Sequence, residues 1–425
     1  MDFNTLLLRL GLDPDDFINK ESVPVKTEEG FLYEAEQRTD IRKCPYCLSE
    51  DCRIQDRRYS EINCSENDHI RDILRLKKVR FLCRKCGRTF TPPLNGIRRD
   101  AAISEQTRNM IVKDFAKQMT FSEIAGRYGI SSARVIQIFD EVIGFVPRKK
   151  MPFALCIDEI RFREKEGQNY CCVLYDFNGR NIVDIIRNRQ MAYLDEYFPT
   201  IPEAERRNVK YFISDMYDGY RTVRKRYFPS ALHIVDLFHV VSQMTRAVSR
   251  IRTSAMKKME ENSLEYRFMK RYWRFFLCRK EDIPERTYEL KKTGLSYSLE
   301  DLVFRCVLKD QDLLLAYNAL QDLYHYNQQF FTFGEAHIFI NKFADRLTVS
   351  GNALLEEVGA TYRKWAVEIA NGLARSQSGK HYTNGIAESI NNHLKTIIKA
   401  AYGYHNFERF RKRAMMIITY KKELR

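Results

Sequence analysis

Three acidic residues stand in segments of the kind that can hold a hard divalent cation. Asp158 closes Phe153-Ala-Leu-Cys-Ile-Asp, Asp215 closes Val209-Lys-Tyr-Phe-Ile-Ser-Asp, and Glu388 lies inside Asn384-Gly-Ile-Ala-Glu-Ser-Ile-Asn. Each aspartate follows a short apolar run that reads as a buried strand, and the glutamate sits among residues with helical spacing. A carboxylate at the end of a buried strand is unfavourable unless a cation or hydrogen bonds compensate it. Mg²⁺ or Mn²⁺ takes carboxylate oxygens, and two such ions in one site can activate an attacking oxygen and stabilise a leaving one. The chemistry suggested is metal-dependent phosphoryl transfer. Glu159, Asp176, Asp184 and Asp236 compete for the same role, and ordinary surface charge is the alternative for any of them.

Glu388, Asn391 and Lys395 would share one helical face, offering a metal ligand, a polar partner and a phosphate-binding cation, with Lys399 a turn further on. His239, in Asp236-Leu-Phe-His, could orient a ligand carboxylate or contact DNA, or simply pack.

The elements that must position these residues begin after Pro147-Arg-Lys-Lys-Met-Pro152, a proline-flanked basic linker. Strands are predicted at 153–163, 169–177 and 180–188, then helix near 191–208, a strand ending at Asp215, a helix over 217–227 and a strand at 231–236. Three antiparallel strands, a helix, a parallel strand, a helix and a fifth strand is the order of a ribonuclease H-like domain. In that order the first and fourth strands are neighbours, which would bring Asp158 and Asp215 together. Residues 241–380 read as an all-helical insertion between Asp215 and Glu388, so the catalytic domain would comprise 151–240 and 381–425. Within the insertion Trp273 is either a core residue or a stacking platform for an unpaired base.

Upstream, Cys44-Pro-Tyr-Cys47 and Cys83-Arg-Lys-Cys86 form two C-x2-C knuckles able to give four thiolates to a structural Zn²⁺, as in a zinc ribbon over 41–92. Cys52, Cys64 and His69 lie between them and could replace a ligand. Residues 120–139, within a 100–146 segment, read as a helix-turn-helix. Thr120 and Glu123 have capping-box spacing, Gly129 suits the turn, and Ile124, Ile130, Val135 and Ile138 would form the core. Ser132, Arg134 and Gln137 would then face a major groove. A plain helical hairpin is the alternative.

The chain has 425 residues and a net charge of +15, which favours a polyanionic partner such as nucleic acid. Residues 1–40 run the other way, with ten acids against four bases, so the remainder carries +21. That acidic arm is either a shield or a solvated tail, and the short amphipathic helix within residues 1–20 (Leu6, Leu7, Leu8, Leu10, Leu12, Phe17, Ile18) is either a partner or dimer contact or packs onto the next domain. The carboxyl-terminal stretch is basic and aromatic (Tyr402, Tyr404, Phe407, Arg409, Phe410, Arg411, Lys412, Arg413), suited to a DNA-facing helix or to a solvated face with its aromatics turned to the core. No apolar run approaches the roughly 20 residues of a membrane span. Met1-Asp-Phe-Asn lacks a basic secretory start, so a cytoplasmic, nucleoid-associated location is expected.

Together these segments resemble bacterial insertion-sequence transposases of the ISL3 family. The resemblance runs from the knuckles to the end and is carried by Ile157-Asp158-Glu159, Ser214-Asp215-Met216, Val235-Asp236-Leu-Phe-His239 and Asn384-Gly-Ile-Ala-Glu388-Ser-Ile-Asn391-Asn-His-Leu-Lys395. It implies a multidomain α+β protein in which Asp158, Asp215 and Glu388 are a DDE triad holding two Mg²⁺ or Mn²⁺. It also implies binding to double-stranded terminal inverted repeats and target DNA, with a homodimer or larger assembly pairing the ends. Many relatives have glycine after the glutamate; this chain has Ser389. Two rival readings remain: a domesticated DNA-binding regulator without catalysis, and a structure-selective nuclease of the same fold.

Overall fold

The leucines near the amino terminus form helix α1 (Phe3–Arg9), and strands β1 (Val25–Lys26), β2 (Gly30–Glu36), β3 (Cys52–Asn67), β4 (Ile70–Cys83) and β5 (Thr89–Phe90) follow. The structure is a computed structural model. It describes the chain apart from residues 1–2, 19–22, 29, 41–42, 68–69, 99–100, 163–169, 290–295, 327–328, 330–331, 375–384, 401–403, 405 and 424–425, with backbone alone for 65–67, 385–388 and 419–423. Two compact units are present, residues 1–147 with 396–425, and residues 148–395.

In the first unit the sheet order is β1-β2-β4-β3, with β5 also on β4. The β3–β4 hairpin is long and antiparallel, whereas β2 runs parallel to β4 from Gly30↔Arg71 to Glu36↔Lys77. Phe3, Leu6, Leu7, Leu10, Leu12 and Phe17 pack on Ala35, Ile62, Leu74 and Leu76. Burial of this apolar set is what holds the segment down. The amino-terminal helix thus packs onto the following sheet, and Gly30–Glu36 of the acidic head is one of its strands. Its Glu34 and Glu36 lie 3.7 and 3.5 Å from Arg75 and Lys77 of β4, a fixed charge pairing on the basic hairpin.

Helices α2 (Glu105–Asp114), α3 (Phe121–Tyr128) and α4 (Ser132–Val142) come next. Thr120 caps α3 in a full capping box with Glu123, and Gly129 ends the helix at φ 63°, a conformation glycine adopts without strain. Ile111, Phe115, Ile124, Val135, Ile138 and Phe139 form the core, and Ile130 packs against it partly buried.

The second unit opens with β6 (Ala154–Arg161), β7 (Tyr170–Asp176) and β8 (Asn181–Ile186). Short helices α5 (Met191–Tyr197) and α6 (Glu203–Arg207) lead to β9 (Tyr211–Ser214), α7 (Asp218–Tyr227) and β10 (Leu232–Val235). The sheet order is β10-β9-β6-β7-β8. Strands β6, β7 and β8 pair antiparallel; β9 joins β6 in parallel, and β10 joins β9 in parallel. The first and fourth strands of this unit are thus neighbours.

The long block that follows contains α8 (Leu237–Lys257), α9 (Leu264–Arg271), β11 (Thr287–Glu289), β12 (Ser296–Ser298), α10 (Leu299–Val307), α11 (Gln311–Tyr326), α12 (Phe333–Thr348), α13 (Ala353–Lys364) and α14 (Ala366–Leu373). It is not all-helical: β11 and β12 form a ribbon in which Tyr288 faces Tyr297, and Tyr288 packs edge-on against Phe268 and Tyr272. Nor does it stand apart from the sheet. Arg221 of α7 forks onto Glu368 at 2.9 and 3.0 Å and stacks 3.7 Å over Trp365, while Asn371 donates to the His233 carbonyl at 2.8 Å. Gly372 lets α14 approach β10 so closely that an added Cβ would fall 2.6 Å from the Val235 carbonyl oxygen.

Helix α15 (Gly385–Ala400) contains the boundary between the units, and α16 (Phe407–Glu423) belongs to the first. The sequence reading assigned 381–425 to the catalytic domain, whereas residues 396–425 group with the three-helix core. The bases of α16 explain this. Arg409 forks onto Asp140 at 2.6–3.1 Å, Lys412 donates to the Ile143 carbonyl at 3.0 Å, and Arg413, 1% exposed, donates to the carbonyls of Phe115, Lys117 and Met119. These cations are consumed within the protein rather than turned to a ligand, contrary to the DNA-facing reading. Removing the Arg413 guanidinium strands buried carbonyls and leaves a cavity. Arg413→Ala is expected to destabilise the first unit by about 3 kcal/mol, seen as faster amide exchange over 105–142 with exchange over 154–235 unchanged.

Candidate active site

Strand β6 is paired to β9 only as far as Cys156↔Ile213. Two residues further along each strand stand Asp158 and Asp215, so equivalent positions on adjacent parallel strands carry the two carboxylates just where the strands part. Asp158 lies within β6, which continues to Arg161 on its β7 side, and Asp215 directly follows β9. Both are half-buried. Desolvation raises the Asp158 carboxyl above its usual range, and desolvation pushes Asp215 up to about 6, with Glu159 and Asp158 adding repulsion and His239 opposing it.

Hydrogen bonds occupy part of each carboxylate. Asp158 Oδ1 accepts the Glu159 backbone N–H at 2.8 Å, and its Oδ2 accepts Asn391 Nδ2 at 2.7 Å. Asp215 Oδ1 accepts the Tyr217 N–H at 3.2 Å. Two desolvated carboxylates with lone pairs remaining are a hard-oxygen donor set that fits Mg²⁺ or Mn²⁺. Glu388 stands in the first turn of α15, three residues before Asn391, but its side chain lies outside the described residues, as does all of Asn384.

The competing acids have other work. Glu159 receives Arg189 Nη1 at 2.7 and 2.9 Å and the Tyr220 hydroxyl at 3.1 Å. Asp176 accepts the Gly179 N–H in the β7–β8 turn, and Asp184 accepts the Tyr197 hydroxyl at 2.8 Å. Asp236 caps α8, with His239 Nε2 3.6 Å from its Oδ2. His239 is thus in electrostatic reach of Asp158 and Asp215 from the first turn of α8.

Sequence reading passed over Arg189, Tyr220 and Tyr175. Arg189 sits over the rings of Tyr170 and Tyr217 and neutralises Glu159 beside the aspartates. Tyr175 lies in an apolar run, where nothing local sets a hydrogen-bonding tyrosine apart from a core one.

Elsewhere, the sulfurs of Cys44, Cys47, Cys83 and Cys86 all lie within 4.8 Å of one another, the one such convergence of potential metal ligands among the described residues. The Cys44–Cys86 and Cys47–Cys83 separations are 3.7 and 3.6 Å. A tetrahedral Zn²⁺ with bonds near 2.3 Å sets its sulfurs about 3.8 Å apart, so the four residues fit that ion. Leu48 (φ 60°) and Gly87 (φ 67°) turn the chain identically after each second cysteine. The Cys86 backbone N–H holds the Cys83 thiol down to about 6. Cys64 is buried away from the cluster, Cys52 lies beside it as the cross-strand partner of Cys83 without being one of the four convergent sulfurs, and His69 lies outside the described residues.

Of the other predicted contacts, Gln137 is exposed on α4 and bonds Arg134 at 2.7 Å, while Ser132 faces Ser122 at 3.4 Å. Lys395 and Lys399 are exposed on α15, and Asn391 one turn earlier is buried. Trp273 is 41% exposed and pairs with Arg274; the core tryptophan is Trp365, so the packing reading of Trp273 does not hold.

A family model described as that of a transposase matches residues 155–414, more than half the chain. The protein belongs to the ISL3 family of DDE transposases. It is also similar to the transposase for insertion sequence element IS1001 from Bordetella parapertussis, at 27% identity over 258 residues. That match covers 60% of this chain and 58% of the relative's own length. All the acids weighed above lie inside the family match; the cysteine cluster and helices α2–α4 precede it. Among the described residues no helix is long and apolar enough to cross a membrane.

Proposed function

We propose that the protein binds the terminal inverted repeats of an insertion sequence and catalyses DNA strand cleavage and strand transfer. The second unit is read as a ribonuclease H-like catalytic domain carrying the helical insertion, with Asp158, Asp215 and Glu388 as the DDE triad. The observation that carries the reading is the placement of Asp158 and Asp215 two residues past the last paired positions of adjacent parallel strands, in a chain of this family. Two Mg²⁺ or Mn²⁺ ions held by the three acids would lower the pKa of an attacking water and stabilise the departing oxygen.

The chain's own groups have distinct parts in this scheme. Asp158 and Asp215 supply oxygen ligands from rigid strand ends, and Asn391 and the Glu159 N–H orient Asp158. His239 offers positive potential beside both carboxylates. Hydrolysis of a phosphodiester at the element end leaves a 3′ hydroxyl, which then attacks target DNA in a transesterification. Duplex recognition is assigned to the first unit, with Cys44, Cys47, Cys83 and Cys86 holding a structural Zn²⁺. Helices α3 and α4 act there as a helix-turn-helix presenting Ser132, Arg134 and Gln137. Exposed Lys395 and Lys399 are suited to phosphate contacts. Pairing of two ends calls for a homodimer or larger assembly.

The test is cleavage of a DNA fragment bearing the element's end. Asp158→Ala is expected to lower cleavage at least about a thousandfold while end binding is kept. Undiminished cleavage by Asp158→Ala would refute the catalytic assignment, and binding without cleavage by the wild-type chain would favour the regulator reading.

A further inference from the structure

The fully buried Tyr175 faces Cys156 across the β6–β7 ladder, which puts it on the same side of the sheet as Asp158, at the diagonal position. A long side chain can cross that interval. Its hydroxyl donates to Asn391 Oδ1, and Asn391 Nδ2 donates to Asp158 Oδ2 at 2.7 Å. Asn391 is 5% exposed.

An amide can turn end for end, and the two orientations here are not equivalent. With the carbonyl towards Tyr175, the phenol donates to it and the NH2 group meets a carboxylate. Turned over, the carbonyl would face the Asp158 oxygen, acceptor against acceptor. The phenol, kept protonated by burial, therefore supports the one orientation in which Asn391 donates to Asp158. Asn391 also stands three residues after Glu388 in α15. Its bond to Asp158 consequently fixes the rotation of α15 against β6 as well as the tilt of the carboxylate.

We propose that Tyr175 is a positioning residue for the metal site, acting through Asn391 to set the Asp158 carboxylate and the register of α15, the helix that carries Glu388. This rests on the reading of Asp158 and Glu388 as metal ligands. Tyr175 touches neither substrate nor metal in this arrangement, and its effect is on how well a cation is held. Partners one shell out from a metal ligand commonly change affinity or activity by about 10–100-fold.

The experiment uses the full chain and Mn²⁺ alone as probe. Tyr175→Phe removes one oxygen and is expected to weaken Mn²⁺ binding about tenfold, with its far-ultraviolet circular dichroism unchanged. In cleavage of an element end, the Mg²⁺ concentration for half-maximal rate should rise correspondingly, and excess Mg²⁺ should restore most of the rate. In an Asn391→Ala background Tyr175→Phe should have no further effect on Mn²⁺ affinity, whereas a merely structural tyrosine would add its own. Wild-type Mn²⁺ affinity in Tyr175→Phe, or additive losses in the double variant, would overturn the proposal. If the single variant fails to fold, comparing Asn391→Ala with Asn391→Gln decides the matter. Equal Mn²⁺ affinity to wild type in both would overturn it, and loss in alanine with partial recovery in glutamine is the expected result. Asp158→Ala separates the two levels of the argument. If that variant still binds Mn²⁺ the metal-site reading itself has failed, and if it does not while Tyr175→Phe binds normally only the role of Tyr175 has failed.

Discussion

Asp215→Asn is expected to abolish strand cleavage and yet raise the melting temperature of the metal-free protein at pH 8. The Asp215 carboxyl is half-buried and desolvated, and its pKa is raised from 3.8 to about 6. A raised folded-state pKa in an acid means that the associated stability is present below about pH 4 and is lost as pH rises through about 6. A shift of this size corresponds to about 3 kcal/mol of cost once the group is ionised. Asp158, raised by the same cause, contributes with the same sign. Asparagine keeps an acceptor for the Tyr217 N–H without the charge. The variant should therefore melt roughly 5–10 °C higher than wild type at pH 8 without metal, and nearly level with it at pH 4. Added Mn²⁺ should reverse the order, since an ion at a thousandfold excess over Kd stabilises only the chain that binds it, by about 4.1 kcal/mol. A metal-free variant that melts below wild type at pH 8 would show that the Asp215 charge is already compensated by the protein, and the metal-site argument would lose its electrostatic basis.

The parts of this site that could be read from the chain are those set by local pattern. Apolar runs ending at Asp158 and Asp215 mark strands because burial on both faces demands them, and the order of the runs implies which strands adjoin. The Thr120–Glu123 spacing marks a helix start because the cap satisfies specific backbone N–H groups. The spacing of the four cysteines marks their convergence for a comparable reason, each knuckle being a local turn.

Long-range partners were not legible. Nothing in Gly30–Glu36 says that it will pair in parallel with Ile70–Cys83 and draw the acidic head into the sheet. The basic residues of Phe407–Glu423 look like a DNA-facing surface because charge is visible in a sequence, whereas the carbonyls of Phe115, Lys117 and Met119 that need a donor are not. Tyr175 and Asn391 are 216 positions apart, and the same distance problem hides Arg189 beneath Glu159. In each case the missing information is a tertiary hydrogen-bond requirement, which composition and periodicity do not encode.

Cys83→Ser is expected to remove one equivalent of zinc per chain and with it the order of one end of the hairpin. Cys44, Cys52, Val79, Phe81, Cys83 and Phe90 form a small apolar cluster of their own, with too little area to stand without the metal. Structural Zn²⁺ in isolated zinc-finger peptides supplies on the order of 10–16 kcal/mol of apparent folding energy. The loss here should be local, because the opposite end of β3 and β4 is anchored independently by α1 and β2. Amide protection should fall over residues 43–54 and 79–90 and persist over 70–76 and throughout 154–235. The Cys86 N–H lowers the Cys83 thiol towards the thiolate form that a metal takes. Protons compete with the ion for the sulfurs, so zinc release should quicken as pH falls. Cys64→Ser is the control: its thiol is buried outside the cluster and should leave the zinc content at one. If Cys83→Ser keeps its zinc, or if the chain as purified holds none while residues 43–54 remain protected, the four sulfurs are packing together without an ion. Binding to the element's end should fall with the zinc if this end of the sheet contacts DNA, and stay level if duplex recognition belongs to α3 and α4 alone.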